Sequence, residues 1–199
     1  MDIVLASQSP RRQELLTQIG LSYRVHAVDI DEHMDRKLAP GPLVEAISRE
    51  KAAACAALEG PEPLIIAADT VVAKGNTVLG KPKDREDARR MLRLLSGTRH
   101  DVYTGYTIRR GEQIYADRKV TFVSFRILTD EEIDAYIATG EPMDKAGAYG
   151  IQGFGALLVA AIKGDYFNVM GLPVCALGLH LREFGINCLT AIGSGERSV

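Results

Sequence analysis

Two strand-like runs, Val102 to Arg109 and Gln113 to Ile127, are separated by only Arg110-Gly111-Glu112, and this short connection constrains the fold more than any other stretch. Such a gap, with its glycine, reads as a β-hairpin that continues into a long strand. Further strands are expected over Ile3 to Ala6, Tyr23 to Val28, Leu64 to Ala73 and Ala156 to Ile162. Helices are expected over the Ala-rich Leu43 to Leu58, over Arg85 to Ser96 and from Pro173 to about Phe184. In the second of these, Ala88, Met91, Leu92 and Leu95 recur at amphipathic spacing, and Gly97 is placed to end it. Thr129-Asp130-Glu131-Glu132 is a capping box that opens a short helix closed by Gly140. Strands and helices therefore mix without a strict βαβ rhythm. The order favours a mixed-sheet α/β, or α+β, architecture over a doubly wound parallel one.

At 199 residues the chain can bury one good core, so a single domain over residues 1–189 is expected, followed by a flexible polar tail over 190–199. A net charge of -2 argues against a dedicated nucleic-acid surface. No apolar run reaches membrane-spanning length, and the N-terminus lacks a basic segment followed by an apolar one, so nothing suggests membrane insertion or export. Cys55, Cys175 and Cys188 form an odd, widely spaced set without a CxxC, which fits a reduced cytoplasmic protein. The four histidines are scattered and no HExxH occurs. A metal, if used, would be held by carboxylates.

Five segments carry chemistry. In MDIVLASQSPRRQELL, Ser9 is a good N-cap and Pro10 suits the first helical position, before apolar Leu15, Leu16 and Ile19 and a terminating Gly20. Free N–H groups, the hydroxyls of Ser7 and Ser9 and the guanidinium groups of Arg11 and Arg12 then meet at a helix start, where cations are unfavourable without an anion. A phosphate chain resolves that conflict. An ordinary capped helix with solvated arginines is the alternative.

Asp69 interrupts the apolar run from Leu64 to Val72. A buried carboxylate needs a cation, a metal ion or a shifted pKa, so Asp69 is a candidate for catalysis, or else a strand-end cap. In Gly80-Lys81-Pro82, proline extends the backbone at Lys81 and glycine permits close approach, so the ammonium is aimed or simply solvated in a turn. The GxxxxGK[ST] spacing of a P-loop is missing. Asp29, Asp31 and Glu32 form an acidic loop of the kind a Mg²⁺-assisted phosphoryl site needs, or a solvated patch. The Gly-rich stretch Met143 to Gly155 reads as a shaped loop, in which Asp144, Lys145 and Gln152 suit recognition of a polar ring or form a structural turn with an exposed ion pair.

Taken in order, SQSPRRQELL, AADTVV, GKP, LSGTRH, EPMDKAGAYGIQG and GDYFNVMGLP resemble the Maf family of nucleoside-triphosphate pyrophosphatases from about Ile3 to Ile186. The resemblance implies an elongated mixed central sheet flanked by helices, two lobes with a deep cleft, and kinship with inosine-triphosphate pyrophosphatases. It implies cleavage between the α and β phosphates with a divalent cation, Mg²⁺ or Mn²⁺. By motif, Asp69 is the proton acceptor and Ser7 with Arg11 or Arg12 holds the phosphates. Glu32 joins Asp69 toward the metal, while Lys51 and Lys81 are further basic positions of the pocket. Arg12, Thr70 and Gln152 match positions that set base preference in the branch acting on dTTP and UTP. A small-molecule nucleotide is the expected partner, and a homodimer is implied. Two rival readings are a nucleotide-sensing or nucleic-acid-binding regulator of cell division without turnover, and a house-cleaning hydrolase for modified purine triphosphates.

Overall fold

A computed structural model describes residues 1–30 and 38–193, with side chains through residue 190. Its sheet is mixed. Strand β1 (Ile3–Leu5) pairs in parallel with β2 (Arg24–Val25) and with β3 (Leu64–Lys74). Antiparallel partners are β4 (Thr77–Leu79) on β3, and β7 (Val159–Lys163) on β6 (Gln113–Phe125). With β5 (Arg99–Arg110), the order is β2-β1-β3-β5-β6-β7, with β4 off this path on β3. The hairpin between β5 and β6 turns on Gly111 and Glu112, one residue tighter than expected, because Gly111 adopts a φ of +55°.

The chain forms two compact units. Residues 1–69, 104–118 and 171–199 make the first, within the described residues; residues 70–103 and 119–170 make the second. Strands β3, β5 and β6 each contribute to both by chain continuity.

In the first unit, α1 (Pro10–Gln18) follows β1, and α2 (Pro40–Glu59) follows β2. Ser9 occupies the N-cap position of α1 but makes no side-chain cap bond, so the expected hydroxyl cap is absent and Pro10 carries the start. At the other end, Gly20 (φ +77°) donates to Thr17 and Leu21 donates to Leu16, closing α1 as a Schellman turn. Helix α2 starts three residues earlier than its periodicity suggests, since Pro40 is an acceptable first-turn residue. Ala52 and Cys55 of α2 pack with Val4, Ala6, Ile65 and Ala67 in a core of small residues. Strand β2 is only two residues long, with Arg24 and Val25 paired to Val4 and Leu5 of β1. Helix α6 (Val174–Leu181) begins after Pro173 and tightens into a 3-10 turn at Arg182–Phe184. The short α7 (Cys188–Gly193) makes the start of the expected flexible tail helical.

In the second unit, α3 (Arg85–Leu95) and α4 (Asp130–Ala138) bury their apolar faces with Val72, Leu79, Val102, Val123, Phe125 and Leu158. Asp84 caps α3 by accepting from Asp87 N at 2.8 Å. Thr129 and Glu132 form the capping box as expected. The last strand, β7, is a correction: Ala156 to Leu158 belong to a 3-10 helix, Gly153–Leu158, and only Val159 onward pairs with β6. The five-residue helix α5 (Tyr166–Met170) completes the unit.

His100, only 1% exposed, lies edge-on to Phe125 and Tyr149, with a ring nitrogen 2.8 Å from the Tyr149 hydroxyl and Nδ1 without a hydrogen-bond partner among the described residues. Burial, helped by the nearby Lys74 charge, pulls its pKa down to about 4. The unfolded chain titrates near 6.5 and binds that proton first, so the stability is fully present above that pH and is lost as pH falls toward 4. The loss should reach about 3 kcal/mol, measured by urea unfolding across this range. His100→Gln should flatten the slope, and an unchanged slope would assign the acid sensitivity to other groups.

Candidate active site

The first unit contains the N-terminal cations and Asp69. Ser7 and Arg12 are both buried and meet directly: Arg12 donates through Nη1 to Ser7 Oγ at 3.0 Å and through Nε to the carbonyl of Gly171 at 2.8 Å. Ser7 Oγ also accepts from Ser9 N at 3.3 Å. With two bonds accepted, the hydroxyl has its own proton to give, and an oxyanion is the natural acceptor. Arg11, half-buried on the first turn of α1, makes no hydrogen bond or ion pair among the described residues. The two arginines are thus unlike: part of the Arg12 fork is committed to protein oxygens, whereas Arg11 is available to a ligand.

Asp69 has the cation that an acid in an apolar strand requires. Lys51 Nζ, from the middle of α2, donates to Asp69 Oδ1 at 2.7 Å, and the two side chains are only 12% and 14% exposed. A shielded pair in this setting is costly to break, because the surviving charge loses both water and partner. Lys51 is therefore first of all the partner of Asp69. Asp31 and Glu32 lie outside the described residues, and Asp29, the first acid of that loop, is exposed.

The second unit contains Thr70, Lys81 and Gln152. Thr70 is half-buried in β3. Lys81 is exposed after β4, and the carbonyl of Gly80 before it accepts from Gly147 N at 3.0 Å, which ties the GKP turn to the loop that leads to Gln152. Close approach is made possible by Gly147 rather than Gly80. A Cβ on Gly147 would meet the Val72 side chain at 2.9 Å, and its φ is +72°, whereas Gly80 has open space around it. Ala148 follows at φ +57°, an unusual conformation for a residue with a side chain. Gln152 is half-buried, and its carboxamide makes no hydrogen bond among the described residues.

Glu141, held by Tyr136, is a residue of this loop system to which the motifs assigned no role. Glu141 accepts from the Tyr136 hydroxyl at 2.9 Å and from the backbone N–H groups of Phe154 and Gly155 at 2.9 and 3.0 Å. Glu141 opens the motif EPMDKAGAYGIQG, so a lone acid just after a helix-closing glycine was the available signal.

Metal fit rests on donor chemistry. Among the described residues no cluster of three or more His, Cys, Asp or Glu side chains could hold an ion, and Asp69 offers one hard carboxylate. That matches Mg²⁺ or Mn²⁺, which take one or two carboxylates and fill their coordination with phosphate oxygens and water.

The family model described as "Maf-like protein" matches residues 2–184. The dTTP/UTP pyrophosphatase of Moorella thermoacetica is 50% identical over 188 residues, covering 93% of this chain and 96% of that protein. The dTTP/UTP pyrophosphatase of Bacillus pumilus is 49% identical over 187 residues, covering 92% and 97%. Among solved structures, the Ham1 protein of Staphylococcus aureus aligns with a TM-score of 0.48 at 16% identity, over 78% of each chain.

Proposed function

Since this chain belongs to the Maf-like protein family, we propose that it hydrolyses nucleoside triphosphates between the α and β phosphates, with dTTP and UTP as preferred substrates. The preference is taken from relatives named dTTP/UTP pyrophosphatase at 49% and 50% identity over nearly their whole length. The observation that carries the chemistry is Asp69, a carboxylate set in an apolar strand and held at 2.7 Å by Lys51. A binding module has no need of such a costly group.

In this proposal Asp69 orients the attacking water and accepts its proton, and Lys51 keeps the carboxylate from swinging away. Ser7 and Arg11 grip phosphate oxygens through a hydroxyl proton and a guanidinium fork, while Arg12 anchors the Ser7 turn to Gly171 and adds its positive charge beside them. Lys81 adds a further cation for the phosphates. Gln152 reads the base: its carboxamide has both a donor and an acceptor, which matches the N3–H and a neighbouring carbonyl of uracil or thymine. Arg12 and Thr70 assist that choice. A divalent ion, held by Asp69 with Glu32 as a second carboxylate, would neutralise charge that builds on the phosphates. A cytoplasmic setting suits the three free cysteines, and a homodimer belongs to the same proposal on the family resemblance.

The test uses heavy-oxygen water with Mg²⁺ or Mn²⁺ and a panel of dTTP, UTP, CTP and GTP. We expect UMP from UTP, with the label on UMP, and unlabelled intact pyrophosphate. Release of orthophosphate with UDP would overturn the assigned bond. Tight binding without turnover would favour a nucleotide-sensing regulator, and a purine-first ranking would favour the house-cleaning reading.

A further inference from the structure

Gln152 occupies the N-cap position of the 3-10 helix Gly153–Leu158, yet its side chain makes no cap bond. A side chain that caps from that position accepts from the N–H groups two and three places ahead. Here those donors, Phe154 N and Gly155 N, go instead to the two carboxylate oxygens of Glu141, at 2.9 and 3.0 Å. Room for that approach depends on Gly153. A Cβ there would stand 2.5 Å from Glu141 Oε2, and its φ of +63° favours glycine.

Glu141 is itself held from several sides. Tyr136 donates its hydroxyl to Glu141 Oε1 at 2.9 Å and accepts from Gly150 N at 3.1 Å, so one phenol joins both ends of the segment around Gln152. The Glu141 backbone accepts from Lys145 Nζ at 2.6 Å and donates to Thr139 Oγ1 at 3.1 Å. Burial pushes the Glu141 pKa up, but the N–H groups of Gly155 and Phe154 and the Tyr136 hydroxyl hold it below the ordinary value. An anionic acceptor makes stronger bonds to these donors than a neutral amide would.

We propose that Glu141 is a positioning residue for base selection: by capping the helix in place of Gln152, it leaves the Gln152 carboxamide unspent and aimed for the nucleotide. The inference rests on the reading of Gln152 as the base-selecting residue. Glu141→Gln puts an NH₂ where one of the three donors needs an acceptor. The orphaned N–H then recruits the nearest alternative cap, Gln152, and the base loses its partner.

The test is a double-mutant cycle on substrate ranking, with wild type, Glu141→Gln, Gln152→Ala and the double variant assayed on UTP and GTP. Glu141→Gln should lower the UTP over GTP ratio of kcat/KM by roughly tenfold, through a higher KM for UTP with kcat within a few-fold. In the Gln152→Ala background the same change should shift the ratio no further, because the two residues act on one contact. Additive effects would make Glu141 a general structural support and overturn the inference. If Gln152→Ala collapses the ratio and Glu141→Gln leaves it intact, the positioning role fails while the base-reading role stands. If Gln152→Ala leaves the ratio unchanged, the base-reading role fails and the inference falls with it. Should Glu141→Gln not fold, Tyr136→Phe removes one bond to the same carboxylate and is expected to lower the ratio in the same direction; an unchanged ratio in that variant counts against the proposal.

Discussion

Asp69→Asn should lower turnover roughly 100-fold or more while leaving the fold and triphosphate binding in place. The substitution keeps the volume of the side chain, and its amide oxygen can still accept from Lys51 Nζ, which lies 2.7 Å from Asp69 Oδ1. What is lost is a group able to take a proton from water or to lend full negative charge to a cation. Two measurements separate these effects: pyrophosphate release under saturating UTP, and calorimetric titration with a non-hydrolysable triphosphate. Turnover within a few-fold of wild type would remove Asp69 from the chemistry. Loss of binding together with turnover would make it a structural partner of Lys51.

Gly105→Ala should cost about 3 kcal/mol or more, a shift of over 100-fold in the folding equilibrium. Gly105 lies in β5 where helix α2 crosses it, and an added Cβ would stand 2.5 Å from Glu45 N and closer still to the carbonyl of Val44. Backbone cannot rotate out of the way as a side chain can, so the helix must lift from the strand. Ser48 and Thr107, whose buried hydroxyls meet at 2.8 Å, would separate with it. Lys51 lies two turns along the same helix from Val44, so the variant should also lose turnover in its folded fraction. Gly178→Ala is the control. Gly178 lies inside α6 with nothing within 4 Å of an added Cβ, so alanine there should be neutral or stabilising by up to about 1 kcal/mol. Equal urea midpoints for the two variants would refute the close-packing argument.

Much of the fold could be read from local signals because those signals are local in origin. The α3 periodicity, the Thr129 capping box and the β5–β6 hairpin each depend on residues within a turn or two of one another, and all three occur, the hairpin with a connection one residue shorter than expected. The misplaced start of β7 has the opposite cause. Ala156 to Leu158 have strand-like neighbours in sequence, but the carboxylate of Glu141, more than ten residues upstream, holds the preceding turn in a helix. Ser9 is similar: its type suits a cap, yet its backbone N–H turns to Ser7 and its side chain leaves the helix uncapped.

The sequence by itself determined which residue types stand where: an acid within an apolar strand, paired arginines at a helix start, a glycine-rich loop with one amide, and the six ordered motifs that point to the Maf family. It also required that Asp69 find a cation, a metal ion or a shifted pKa, since desolvation of a carboxylate is costly wherever it is buried. Which cation answers that need was decided only by tertiary structure, which brings Lys51 from eighteen positions away to 2.7 Å. The same holds for Arg12, whose fork reaches a carbonyl 159 positions distant, and for Glu141, which caps a helix it does not belong to. Hydrogen bonds and ion pairs of this kind depend on distance in space at the scale of a few ångströms, and a one-dimensional pattern carries that distance only when the chain between the partners is short and regular.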